Sequence, residues 1–159
     1  MAIATALKEH RLLQKLAAFH PQAVATASLF RDELTVDIPP QHLRAVCEFL
    51  KHDPELQFDF LADLTCVDRY PLAPRFEVVY HLLALTSRAR LRLKTHLPSD
   101  NPRLDSITGL WPGANWLERE IFDLFGIHFI GHPNLRRLLM PDDWEGYPLR
   151  KDYPLEGPR

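Results

Sequence analysis

The side chains able to do chemistry crowd into one block of this 159-residue chain. It runs from Asn115 to Leu155 and reads NWLEREIFDLFGIHFIGHPNLRRLLMPDDWEGYPLRKDYPL. Glu118, Glu120, Asp123, His128 and His132 are the residue types that bind a divalent metal or move a proton in hydrolysis. Their spacing works against that chemistry. Glu118 and Glu120 lie about 200° apart on a helix, and neither histidine belongs to that helix. Ser28, Ser87, Ser99 and Ser106 all precede the block, outside any GxSxG elbow. The glycines spell neither GxGxxG nor a P-loop. No catalytic, cofactor or metal residue is therefore expected. A small hydrolase built on Glu118, Asp123, His128 and His132 is kept as the rival from another class, and it requires metal in the isolated chain.

The block is too charged for a core and too aromatic for a solvated linker, which points to a surface made for a partner. Its start predicts a helix from Trp116 to Phe125. Asn115 is placed to cap it, with Glu118 as the returning carboxylate of a capping box. Leu117, Ile121, Leu124 and Phe125 make the buried stripe, and Gly126 the left-handed C-cap. Glu118, Arg119, Glu120 and Asp123 then fall outside, with Arg119 and Asp123 paired on the surface. Gly131-His132-Pro133 and Pro141 to Gly146 read as turns around Arg136 and Arg137. From Tyr147 to Leu155 the prolines favour an extended arm carrying Arg150, Lys151, Asp152 and Tyr153. Such an arm must lie across a neighbouring surface, fold back over its own helix, or do both. Trp, Tyr and Arg are the residue types that dominate interfaces. The expected partner contacts are Glu118, Arg119, Glu120, Asp123, His132, Arg136, Arg137, Trp144, Arg150, Lys151, Asp152 and Tyr153. Charge reversal at Arg136 with Arg137, or at Arg150 with Lys151, is expected to impair assembly more than folding.

The elements that position this block are simpler. Residues 3–19 read as a helix with Ile3, Leu7, Leu13, Leu16 and Ala17 on one face. Ala23–Phe30 and Leu34–Ile38 read as strands of a hairpin turning at Arg31-Asp32-Glu33. Pro39-Pro40 opens a helix to His52 whose stripe is Leu43, Val46, Cys47 and Leu50. Three strands follow. In 57–68, Phe58, Phe60, Ala62, Leu64 and Cys66 share a face; in 75–85, Phe76, Val78, Tyr80 and Leu82 do. In 90–97, Leu91, Leu93, Thr95 and Leu97 alternate with Arg90, Arg92, Lys94 and His96. Those four bases are either a solvated face paired with acids across the sheet or a cationic docking strip. The order predicts an α+β fold, a mostly antiparallel sheet with helices on one face, then the short helix and the arm.

All 6 glycines and all 3 tryptophans fall after residue 108. That shift divides one continuous domain into a scaffold, 1–108, and a helix-plus-arm segment, 109–159. A net charge of −2 and a pI near 6.4 exclude a general nucleic-acid binder. No apolar run reaches the roughly 18 residues of a membrane span. The N-terminus lacks a signal peptide's apolar stretch, since Lys8 to Arg11 interrupt it. Cys47 and Cys66 sit in apolar patterns and read as buried free thiols; an iron–sulfur cluster needs more ligands than these.

The block also resembles a known family, the C or 30-kDa subunit of proton-pumping NADH–quinone oxidoreductase, respiratory complex I. The residues that carry the resemblance are Glu118-Arg119-Glu120, Asp123, Leu124-Phe125, His132, Arg136, Leu138 and Leu139, then Pro141 to Gly146 and Pro148 to Pro154. Leu104, Ser106-Ile107, Trp111 and Ala114-Asn115-Trp116 extend it upstream, so it spans about residues 102–155. The resemblance implies a structural subunit of the peripheral arm without cofactor or active site of its own. It packs against the large quinone-site subunit and near the terminal iron–sulfur subunit, while FMN and the clusters belong to other chains. It also implies a peripheral place on the cytoplasmic side of the cell membrane. Many relatives continue past Arg-Lys-Asp-Tyr-Pro. The shorter length is similar to the J subunit of the NDH complex that uses plastoquinone, and a membrane-bound hydrogenase complex holds an equivalent subunit.

Overall fold

The computed structural model describes Leu7 and residues 10–155. Its elements are α1 (Arg11–Phe19), β1 (Thr26–Phe30), β2 (Glu33–Asp37), a 3-10 turn at Pro40–His42, α2 (Leu43–His52), β3 (Phe60–Asp68), β4 (Phe76–Ala84), β5 (Ala89–Leu97), β6 (Arg103–Asp105), α3 (Ala114–Phe125) and β7 (His128–Ile130). One sheet has the order β1-β2-β5-β4-β3, and β6 pairs with β7. The expected α+β class, mostly antiparallel, is what is found.

Period-2 alternation builds the main sheet. Leu34 and Val36 of β2 register with Leu91 and Leu93 of β5. Those face Leu82 and Tyr80 of β4, and Tyr80 and Val78 meet Leu64 and Cys66 of β3. This face joins the helices in a single core. The α2 stripe, Leu43, Val46, Cys47 and Leu50, is buried as expected. The β1–β2 turn takes positive φ at Arg31 (50°) and Asp32 (64°), the geometry whose twist suits a two-residue hairpin.

On the opposite face, the bases of β5 meet acids of neighbouring strands. Arg92 pairs with Glu33, Lys94 with Glu77 at 2.7 Å, and His96 with Asp37 at 3.2 Å. The reading as an internally paired face holds for these three. Arg90 is the base of the row without an ion pair among the described residues.

Four expectations change. The pairing of β2 with β5 is parallel, because the chain crosses over through α2 rather than continuing as a meander. A register shift between Leu61 and Asp63 moves Leu61 to the core side and leaves Phe60 47% exposed. Phe60 and Ala62 therefore leave the face of Leu64 and Cys66. Helix α1 starts at Arg11 after an extended His10, with ψ at 118°, while Leu7 ahead of it is helical and buried; residues 3–6, 8 and 9 lie outside the described residues. Its buried face is Leu12, Leu13 and Leu16, with Ala17 exposed; Ile3 lies outside the described residues. The fourth is α3, which begins at Ala114 with Gly113 as N-cap and no side-chain cap. Asn115 is thus inside the helix, and Leu117 is half-buried against the core rather than in it. Both cysteines are buried and free.

Candidate partner interface on α3 and the C-terminal arm

Three of the four charged residues of α3 point inward. Glu118 and Asp123 have no exposed surface, and Arg119 keeps 6%. Of the four residues expected on the outer face, only Glu120 lies there. The reason is that each of the other three has a backbone partner from a later or earlier loop, so burial leaves no orphan charge.

Glu118 does not return to a cap. It accepts the Ser106 hydroxyl at 2.6 Å and the Ile107 N–H at 2.7 Å, tying α3 to the loop after β6. Burial pushes its carboxyl up to about 7, with the two hydrogen bonds opposing. A raised folded-state value means the native chain holds a proton that the unfolded chain releases near pH 4.3. Stability from this group is full below that pH and is lost as pH rises through about 7. Glu118→Gln is therefore expected to flatten the fall in urea midpoint between pH 5 and 8. An unchanged slope would reject the assignment.

Arg119 and Asp123 do not pair with each other. Arg119 donates to the carbonyls of Arg136 (3.2 Å) and Arg137 (3.0 Å), with its guanidinium over the Trp116 ring. Asp123 Oδ2 accepts three successive amides, Leu138 (2.9 Å), Leu139 (2.7 Å) and Met140 (2.9 Å). Its Oδ1 accepts Arg137 Nη1 at 2.7 Å. Burial alone would push this carboxyl up; the amides and Arg137 outweigh it and hold it low. Arg137 then reaches on to the carbonyls of Trp144 (2.8 Å) and Gly146 (3.1 Å). The polar side of α3 is a template that folds the 136–146 loop around itself.

His132 is equally engaged. Its Nδ1 accepts the Asn134 N–H at 3.0 Å, so Nε2 carries the proton and donates to the Asn115 carbonyl at 3.2 Å. Burial lowers its pKa and favours this neutral form. His128 is exposed, edge-on to Phe122. Glu118, Asp123, His128 and His132 are thus held apart, and among the described residues no three metal-ligating side chains converge.

The arm is a chain of turns rather than an extended strand, with Arg150 N–H on Tyr147 O and Tyr153 N–H on Arg150 O. It folds back over its own helix. Leu149 N–H takes the Leu124 carbonyl at 3.1 Å, and Arg150 Nε the Phe125 carbonyl at 2.7 Å, serving carbonyls that the helix end leaves open. Gly126 has φ of 74°, and a side chain there would meet the Tyr147 ring. Tyr153 packs on Gly146 and donates to the Glu145 carbonyl at 3.3 Å.

Two anchors of the arm escaped sequence reading. Arg75 grips Asp68 through Nε (2.9 Å) and Nη2 (2.8 Å), and grips Asp152 through Nη1 (2.8 Å) and Nη2. Asp68 also accepts the Lys151 N–H at 2.8 Å. The signal existed: the alternation Leu64, Cys66 carries Asp68 onto the core face, where a carboxylate needs a partner. Rings and guanidinium groups then alternate. Arg75 lies over Tyr70 (5.1 Å) and Phe76 (5.0 Å), Arg150 over Phe76 (5.1 Å) and Tyr147 (4.7 Å), and Arg137 over Tyr147 (5.6 Å).

The paired charge reversals therefore separate. Arg137 and Arg150 are structural in this chain, while Arg136 and Lys151 are exposed. Of the twelve expected contact residues, Glu118 and Asp123 have no surface to offer. Glu120, Arg136, Lys151 and part of Asp152, Trp144 and Tyr153 face outward. Trp116 (60% exposed), Leu139 (61%) and Leu149 (51%) add apolar area beside them.

Comparison with known proteins reaches well beyond this block, over most of the chain. The family described as "Respiratory-chain NADH dehydrogenase, 30 Kd subunit" matches residues 36–159. The C subunit of the NADH-quinone oxidoreductase of Roseiflexus sp. (strain RS-1) is 52% identical over 94% of this chain and 86% of its own. Its counterpart in Citrifermentans bemidjiense is 44% identical over 95% of this chain and 92% of its own. A trypsin-resistant fragment of Nqo5 superposes with a TM-score of 0.64 at 35% identity, covering 79% of this chain and 99% of the fragment. A chain of the membrane-bound sulfane sulfur reductase, an archaeal respiratory membrane complex, gives 0.78 at 27% identity over 93% of this chain and 86% of its own. The chain belongs to the 30-kDa subunit family of NADH–quinone oxidoreductase, a component of that complex's peripheral arm.

Proposed function

We propose that this chain is a non-catalytic scaffold of the complex. In this reading it carries no redox group and binds the large quinone-site subunit and the terminal iron–sulfur subunit, on the cytoplasmic side of the membrane. FMN and the clusters then sit in partner chains. The supporting observation is the use made of the family block: Glu118, Arg119 and Asp123 are all bound to this chain's own loops. Such groups are not free to act on a substrate, whereas the loops they hold present charge and apolar area outward. No helix among the described residues is long and apolar enough to cross a membrane, which fits attachment through partners.

The test is affinity capture of the tagged chain from detergent-solubilised membranes. Recovery of those two subunits, with no flavin or metal absorbance in the chain once stripped of them, is expected. A stable monomer with enzymatic activity of its own would sink the reading. A second reading places the chain in a related membrane-bound complex with a different electron acceptor. The TM-score of 0.78 to the archaeal reductase favours keeping it, and the identity of the captured partners decides.

A further inference from the structure

Three arginines thread the arm, and two of them are neutralised within the chain. Arg75 has Asp68 and Asp152, and Arg137 has Asp123. Arg150 has rings on both sides and one carbonyl, yet no carboxylate within ion-pair distance among the described residues. It is half-buried, and burial lowers its pKa from the ordinary guanidinium value. A half-buried cation without a counter-ion is costly, so it marks a place where an anion is missing. Next to it the Lys151 side chain is exposed and has no ion pair among the described residues.

These two cations line one groove of about 570 Å³ on the outer side of the arm, with Trp144, Pro148, Tyr153 and Leu155. No acid lines it. Arg150 is held in place by the Phe76 and Tyr147 rings and the Phe125 carbonyl, and the Lys151 backbone by Asp68, so little ordering cost remains for these two lining residues. Its walls are apolar and aromatic, and among the described residues its charges are those of Arg150 and Lys151.

We propose that this groove receives an extended segment of a partner subunit, with an Asp or Glu carboxylate seated against Arg150 and Lys151 and an apolar side chain against Trp144 and Leu155. Charge complementarity selects that occupant: a basic or neutral segment would leave Arg150 without a carboxylate in contact. The proposal rests on the scaffold reading above and names one of its contacts.

Zero-length carbodiimide coupling of the assembled complex tests it, because an amide forms only where an amine and a carboxylate touch. The expected product joins Lys151 to an Asp or Glu of another subunit. Lys151→Arg should assemble normally but lose that product. Lys151→Glu should cut recovery of the assembled complex by at least about tenfold. It should leave the melting temperature of the isolated chain unchanged, since among the described residues Lys151 bonds through its backbone N–H alone. Exchanging the coupled partner acid for Lys should restore assembly. Coupling of Lys151 to its own chain, at Asp142, Asp143, Glu145 or the following Glu156, overturns the proposal, as does native assembly of Lys151→Glu. If the unaltered chain captures no partner subunit, the scaffold reading itself fails.

Discussion

Replacing Asp123 with Ala is expected to lower the unfolding free energy of the isolated chain by about 3–5 kcal/mol, the range for removing one member of a buried charge pair. Asp123 has no exposed surface, and Arg137 is 15% exposed, so solvent cannot replace what is lost. The change strands three amides, Leu138, Leu139 and Met140, and a guanidinium that also carries the Trp144 and Gly146 carbonyls. Asp123→Asn should fall between, because its oxygen still accepts amides while Arg137 loses its counter-charge. Glu120→Ala, on the exposed side of the same helix, should stay within about 0.5 kcal/mol. Urea unfolding followed by circular dichroism measures all three. The Asp123 carboxyl is held below its ordinary value, so its contribution is full above about pH 4 and is lost as pH falls further. A loss under about 1 kcal/mol for Asp123→Ala would remove the template role argued for α3.

The same residue shows where sequence reading stops. Periodicity located α3, its Ile121–Leu124–Phe125 stripe and its Gly126 cap correctly, because apolar burial repeats with the helical turn. It then assigned the polar positions to solvent by the same rule. That rule assumes nothing covers the second face, and here the 136–146 loop does. A loop's path depends on contacts more than ten residues away, such as Asp123 with Met140, which no local period records. The sheet was legible for the complementary reason: alternation fixes which face each strand buries. Its parallel β2–β5 pair was not, because neighbour choice depends on the crossover. Density of charge and rings did mark the block as special, and the resemblance named its family. Direction, inward or outward, needed the fold.

The second large effect lies at Arg75, which is 5% exposed and ties three stretches of chain together. Arg75→Ala leaves Asp68 buried without its bidentate partner and frees Asp152 from the arm. The expected cost is again about 3–5 kcal/mol, with a local signature that a general loss of stability lacks. Amide exchange at Leu149, Lys151 and Tyr153 should accelerate more than in the β4 and β5 ladder, since the first two bonds dock the arm and the third closes a turn within it. Arg75→Lys should recover only part of this, because one ammonium cannot offer two forked contacts to two carboxylates. The pH dependence follows from Asp68. Burial pushes its carboxyl up, but Arg75 and the Lys151 and Tyr70 amides outweigh that and hold it at about 2. In the native chain this stabilisation is full above about pH 4 and is lost towards pH 2. Without Arg75 the burial effect gains weight, so acid unfolding should begin at higher pH. Arg75 and Asp123 are also linked through Phe76, Arg150, Tyr147 and Arg137. The double variant should therefore lose less than the two single losses combined, by more than the roughly 0.5 kcal/mol seen for independent sites. Strict additivity, with arm amides as protected as in the native chain, would mean the stacked rings are neighbours without being a single support.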